Sequence, residues 1–171
     1  MIIETYQSAI VLKILKSGKV YRAHRNLRND LAYSSLVDLL GLHCECPIFG
    51  CLKYHKKCAD GRVSSSVKLI LDVPDQFVKL TEYSTWADFM YFVRQTQPNN
   101  YKKLASDRTE ISQHKFNHMM RMLQNQRPAR EYHVPQAILE EIRPEWLVRY
   151  HTVHYTGFTA PLRRFFARFG R

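Results

Sequence analysis

The sequence has few acidic residues, and it lacks the long apolar runs that would place a protein in a membrane. Its 171 residues include 15 Asp and Glu against 26 Lys and Arg, a formal net charge of +11. No apolar stretch approaches the roughly 18 residues that a transmembrane helix needs. The first residues, Met1–Glu4, lack the basic and apolar regions of a signal peptide. We therefore expect no membrane span.

Cysteine is scarce and unevenly placed. All four cysteines lie within residues 44–58, whereas a disulfide framework would spread them along the chain. This distribution favours a reduced, cytoplasmic protein.

The common catalytic signatures are missing as well. The chain has no Gly-rich phosphate loop, no Gly-x-Ser-x-Gly elbow and no His-Glu-x-x-His motif. His114 and His118 are one helical turn apart, but nothing indicates a third metal ligand, so we interpret them as part of a basic outer face. The sequence also contains no internal repeat.

The sequence has ample material for a core and a large excess of positive charge. Residues of the apolar set make up 45% of the chain and aromatic residues 12%, which predicts one folded domain and excludes a mainly disordered protein. The charge of +11 bears on partners rather than on fold. It favours nucleic acid, an acidic protein surface or anionic lipid.

Apolar periodicity predicts both helices and strands, and therefore an α+β domain. Pro135 favours the first position of a short helix over Gln136–Ile142. The other predicted helices lie near residues 8–17, 30–40, 85–94 and 107–123, and the strands near 2–6, 19–23, 46–54, 67–73, 78–80, 129–134 and 146–150.

The order of these elements carries a resemblance to a known family. A strand ending in Thr5-Tyr6-Gln7 precedes a helix ending at Gly18, and Cys46-Pro47-Ile48-Phe49, Leu69–Val73 and Pro128–Pro135 follow. Over roughly residues 2–150 the chain resembles the ADP-ribosyltransferase fold. Within that fold it is most similar to the DarT-type enzymes that modify DNA bases using NAD, and also to uncharacterised bacterial and phage domains.

The resemblance implies a fold, a cofactor and a site. It implies a single domain over residues 1–155 with a bent, mostly antiparallel central sheet flanked by helices. The family's catalytic glutamate corresponds to Glu131, and its NAD-cradling first strand to Thr5 and Gln7. Arg22, Arg25 or Arg28 would contact the pyrophosphate, with Arg22 nearest to the predicted strand. The first strand of the DarT-type enzymes contains a His, which Glu4–Gln7 lacks.

Each of these residues also has a purely structural interpretation. Glu131 could be an exposed carboxylate paired with Arg127 or Arg130. Thr5 and Gln7 could tie the end of a strand to a loop.

The cysteine cluster is a candidate zinc site. Zinc prefers four tetrahedral Cys or His ligands, which Cys44, Cys51, His55 and Cys58 could supply, with Cys46 as an alternative to Cys51. The irregular spacing instead favours small, half-buried cysteines that hold no metal. We expect at most one structural zinc ion and no catalytic one.

The carboxyl-terminal segment, residues 156–171, forms a basic aromatic tail. Arg163, Arg164 and Arg168 lie off a stripe of apolar side chains in a helix that would begin at Pro161. Arginine binds phosphate and aromatic rings stack on bases, so these three arginines are candidate nucleic-acid contacts. The phenylalanines of the stripe are expected to pack as ordinary core.

Two functions remain open at this point. The chain could be an NAD-dependent mono-ADP-ribosyltransferase acting on nucleic acid or protein. It could instead be a non-catalytic basic module or inhibitor of the same fold, which binds nucleic acid or an acidic protein.

Overall fold

A computed structural model of the chain describes residues 1–24, 30–55, 67–95 and 109–153. In these ranges the chain forms six strands: β1 (Ile2–Gln7), β2 (Ile48–Leu52), β3 (Val67–Asp72), β4 (Lys79–Glu82), β5 (Pro135–Leu139) and β6 (Leu147–Thr152). They make one sheet in the order β4-β5-β2-β1-β3-β6. All neighbouring strands are antiparallel. The predicted α+β class and mostly antiparallel sheet are confirmed.

The described residues contain four α-helices: α1 (Ala9–Lys16), α2 (Asp30–Leu40), α3 (Tyr83–Gln95) and α4 (Thr109–Gln124). Gly18 and Gly41 follow α1 and α2 with φ of 77° and 62°. Glycine adopts this left-handed conformation without steric cost, so it commonly ends helices. The four helices and the two glycine stops agree with the sequence prediction.

Both faces of the sheet are covered by helices. Side chains alternate across a strand, so one face of the central strands carries Ile3, Ile48 and Leu69, which pack against α1. The opposite face carries Phe49 and Ile138, which pack against α2, α3 and α4. The sheet is therefore the middle layer of the domain.

Two adjoining predictions were wrong. Residues 129–131 form a 3-10 helix rather than a strand, and residues 135–139 form β5 rather than a helix. All five residues of β5 are buried. A short, mostly apolar run fits a central strand or a buried helix equally well, and here β2 and β4 pair with it on both sides. Proline is tolerated at the first residue of a strand.

The segment before β5 is held by side chains instead of a strand ladder. The Glu82 carboxylate accepts hydrogen bonds from the backbone N–H groups of His133 (2.8 Å) and Val134 (2.9 Å). The Tyr132 ring is buried, and its hydroxyl donates to the Leu80 carbonyl. Since these groups satisfy the backbone, no strand is needed there.

The predicted strand over residues 19–23 is reduced to two isolated bridges. Tyr21 pairs with Ile142 and Ala23 with Cys46. These bridges fix the position of Arg22 between them.

Candidate functional site

Three residues predicted to bind the cofactor, Thr5, Gln7 and Arg22, lie at the same end of the sheet. Thr5 and Gln7 lie in the last half of β1. In an antiparallel sheet, the end of β1 lies beside the start of β2 and the end of β5. The bridges on either side of Arg22 reach Ile142, just after β5, and Cys46, just before β2. We call this edge of the sheet the β1 end.

The backbone pairing between β1 and β2 stops before the β1 end. The two strands pair at only two positions, Ile3–Leu52 and Glu4–Cys51, whereas β1 pairs with β3 over all six of its residues. Beyond Glu4 the link to β2 is a side-chain bond, in which the Thr5 hydroxyl donates to the Phe49 carbonyl at 2.7 Å. The last residues of β1 are therefore outside the β1–β2 backbone ladder.

Gly50 allows the close approach of β1 and β2 directly beside their last backbone pair, Glu4–Cys51. A Cβ at this position would lie 2.5 Å from Ile3 Cγ2 and 3.1 Å from the Glu4 carbonyl oxygen. Any larger residue would push β1 and β2 apart.

Thr5 itself is used internally. It is 1% exposed, and its hydroxyl accepts a hydrogen bond from Gln7 Nε2 at 2.8 Å while it donates to Phe49. This agrees with the structural interpretation of Thr5. Its effect on the β1 end is to fix the orientation of the half-buried Gln7 amide.

Arg22 is anchored by a carboxylate and remains largely open. Its guanidinium forms an ion pair with Glu141, whose other oxygen accepts a hydrogen bond from Arg143 Nε at 2.6 Å. The Glu141 side chain is 12% exposed and that of Arg22 is 67% exposed. Arg22 therefore presents its free guanidinium donors to solvent at a fixed place.

Glu140 is a residue of the β1 end that sequence reasoning missed. It follows β5 directly, next to the Glu141 that binds Arg22, and it is half-buried. No ion pair or hydrogen bond of its side chain occurs within the described residues. The signal in the sequence was the pair Glu140-Glu141 immediately after the apolar residues Ala137–Leu139.

Glu140 influences a nearby thiol. Burial raises the pKa of Cys44 to about 11, with the charges of Glu140 and Cys46 as further causes and a backbone hydrogen bond from Cys46 as a partial offset. Since the thiolate is the reactive form, Cys44 is a weak nucleophile at neutral pH.

Glu131 lies at the other end of the sheet. It is exposed in the 3-10 helix Ala129–Glu131, four residues before β5 begins, and the five residues of β5 span about 17 Å. The structure therefore does not bring Glu131 to Thr5, Gln7 and Arg22. Among the described residues it forms no ion pair with Arg127 or Arg130. The Arg127 guanidinium instead lies 4.5 Å from the centroid of the Tyr132 ring.

A row of polar residues crosses the central strands on the face that carries Phe49. Register places Glu4, Cys51, Gln136 and Thr81 side by side on β1, β2, β5 and β4. Glu4 pairs with Lys68 of β3 at 2.7 Å. Thr81 Oγ1 and Gln136 Oε1 are buried without a hydrogen-bond partner. Buried polar atoms are normally paired, so this row has unused hydrogen-bonding capacity.

The cysteines of the cluster differ in oxidation state, which was not expected. Cys44 and Cys46 are free thiols, whereas Cys51 is disulfide-bonded, so the expectation that all four cysteines are reduced does not hold here. A disulfide sulfur is not a thiolate, so the zinc ligand set Cys44, Cys51, His55 and Cys58 is not assembled in this state. The described residues contain no group of three or more potential metal ligands. Cys58 lies outside them.

Some predicted contacts lie outside the described residues. These are Arg25, Arg28 and the tail arginines Arg163, Arg164 and Arg168. Within the described ranges, no helix combines the length and the apolar character needed to cross a bilayer.

The chain was compared with protein-family models, curated proteins and solved structures, and none of them matches it.

Proposed function

We propose that this protein is an NAD-dependent mono-ADP-ribosyltransferase-like protein that holds NAD at the β1 end and acts on nucleic acid or protein. The observation that carries the proposal is that Gln7 and Arg22 lie at the same end of the sheet, the end at which the β1–β2 backbone pairing has stopped. The six-stranded antiparallel sheet with helices on both faces agrees with the fold that the resemblance implies.

The residues at the β1 end fit a dinucleotide in two respects. The exposed donors of Arg22 suit a pyrophosphate, because a guanidinium binds phosphate oxygens in a bidentate manner. The Gln7 amide, held by Thr5, supplies directional hydrogen bonding to a ribose or an amide group. Glu141 limits the motion of Arg22, so the cation is preorganised.

The catalytic carboxylate in this proposal is Glu140 rather than Glu131. NAD supplies an activated ribose whose bond to nicotinamide breaks as a bond to the acceptor forms. A carboxylate beside that carbon stabilises the developing positive charge and takes up the acceptor's proton. Glu140 adjoins the Arg22–Glu141 pair, whereas Glu131 lies about a strand length away.

The test is NAD-dependent labelling of cellular nucleic acid and protein by the purified chain. We expect label transfer by the unchanged protein, loss of at least about 100-fold in Glu140→Gln, and near-normal transfer by Glu131→Gln. The reverse pattern would return the catalytic role to Glu131.

Cofactor binding is measured separately by calorimetry. Arg22→Ala should weaken NAD binding about tenfold or more, because one charge-assisted contact is lost. Arg130→Ala removes an equally exposed arginine at the other end of the sheet and should leave binding unchanged.

The second candidate is a non-catalytic module of the same fold that binds nucleic acid or an acidic partner. The exposed, isolated position of Glu131 and the absence of a first-strand His favour it. If calorimetry detects no NAD binding and neither protein nor nucleic acid is labelled, this candidate replaces the enzyme.

A further inference from the structure

The two edges of the sheet differ in whether their backbone is satisfied. At the β4 edge, Gln126 Nε2 donates to the Leu80 carbonyl at 3.0 Å and Gln126 Oε1 accepts from the Leu80 N–H at 2.9 Å. The Tyr132 hydroxyl donates to the same carbonyl. At the opposite edge, β6 pairs with β3 on one side, and within the described residues no backbone group of β6 bonds to anything on the other side.

β6 is also exposed along its length. Five of its six residues are exposed, including Val148 at 62% and Tyr150 at 40%. An exposed edge strand presents a row of unpaired N–H and C=O groups, and it is a ready template for another strand. The open edge is therefore a candidate interaction surface.

The side chains around this edge are of basic type. Arg149 and His151 alternate on one face of β6, and His151 lies opposite Lys68 of β3. On the other face, Lys16 Nζ donates to the Tyr150 hydroxyl at 2.8 Å and lies 4.3 Å from the centre of its ring. β6 itself contains no acidic residue.

We propose that β6 accepts an extended acidic segment of a partner protein as a seventh strand of the sheet. The open main-chain groups call for a polypeptide in extended conformation, since only it matches their spacing. A second copy of β6 does not fit, because pairing two such strands would bring like charges together, which is destabilising. The proposal is independent of NAD binding.

The alternation of side chains along β6 also predicts the sequence pattern of the partner segment. Residues two apart on an added strand share a face. Acidic side chains at alternate positions would meet Arg149 and His151, while the positions between them would face Tyr150. An alternation of Glu and Val satisfies both faces.

The test uses a fluorescein-labelled Glu-Val alternating octapeptide and anisotropy at low salt. We expect saturable binding, and at least about tenfold weaker binding of a Lys-Val peptide of the same length. A Glu-Val peptide with every amide N-methylated should also lose binding, because it has no N–H donors for the ladder on either edge. Equal binding of the N-methylated peptide would show simple charge attraction and overturn the proposal.

Protein variants locate the contact. Arg149→Glu should weaken binding of the Glu-Val peptide about tenfold or more, whereas Arg130→Glu, an identical charge change in the 3-10 helix before β5, should not. Hydrogen exchange should slow at β6 amides when the peptide is added. Absence of peptide binding contradicts the proposal. So does a result in which oligo-dT, and not the peptide, binds tightly and depends on Arg149. A stable dimer in light scattering would assign the edge to a second copy.

Discussion

At the scale of single residues, Gly50 is the position where the sheet tolerates least change. Its missing Cβ leaves room for Ile3 Cγ2 and for the Glu4 carbonyl oxygen. The absence of a side chain at Gly50 also determines how closely β2 approaches β1 where their pairing stops. A small residue in β2 thus sets the geometry of the β1 end.

We predict that Gly50→Ala lowers the free energy of unfolding by about 1–3 kcal/mol, because overpacking forces side chains or backbone to move. Urea denaturation measures this loss. In an Ile3→Ala background the same change should cost less, since the nearest clashing atom is gone. A strictly additive double-mutant cycle would contradict the proposed contact.

At the scale of elements, the edge strand β4 depends on a residue outside the sheet. Gln126 follows α4 and bonds both backbone groups of Leu80, so it takes the place of a neighbouring strand. This contact also ties α4 to the sheet.

We predict that Gln126→Ala destabilises the fold by about 1–2 kcal/mol and speeds hydrogen exchange of the Leu80 amide, because two hydrogen bonds are lost. Gln124→Ala, at an exposed position of α4, is the matched control and should change neither. Unchanged exchange at Leu80 in Gln126→Ala would mean that water replaces the side chain without cost.

The sequence predicted helices and strands well where residues close together in sequence determine them. α1 and α2 were predictable because glycine follows an apolar stripe in each. The strand β5 was not, because a buried run such as Ala137-Ile138-Leu139 has no periodicity, and its neighbours β2 and β4 are far away in sequence. The extended segment between the 3-10 helix and β5 depends on the Glu82 carboxylate, which accepts from the His133 N–H, 51 residues away in sequence.

At the scale of the whole molecule, the candidate site was also predictable only in part, because it depends on contacts between residues far apart in sequence. Thr5, Gln7 and Arg22 were named from the sequence, and the fold places them at one end of the sheet. Glu131 was named with them but lies at the other end, since the direction of β5 separates it from them. The sequence alone did not indicate Glu140, because only the bridge between Tyr21 and Ile142 brings the Arg22 segment close to it.

The net charge of +11 leads to a prediction for the whole chain. If the target is nucleic acid, affinity should fall steeply with salt, with a log–log slope of roughly −0.7 per phosphate contact for single strands. Replacing Arg163, Arg164 and Arg168 together should flatten the slope by about two to three contacts while the protein stays folded. Titrations of labelled oligonucleotide at several salt concentrations measure it. An unchanged slope would remove the tail from the binding surface.

The inequality of the two sheet edges has a consequence for stoichiometry. A sheet with two open edges can add copies at both ends and grow into a fibre, whereas here Gln126 occupies both backbone groups of Leu80 at the β4 edge, and among the described residues no strand pairs with the outer side of β6. If a partner segment adds at β6 as proposed, we expect one partner segment for each chain and a finite complex.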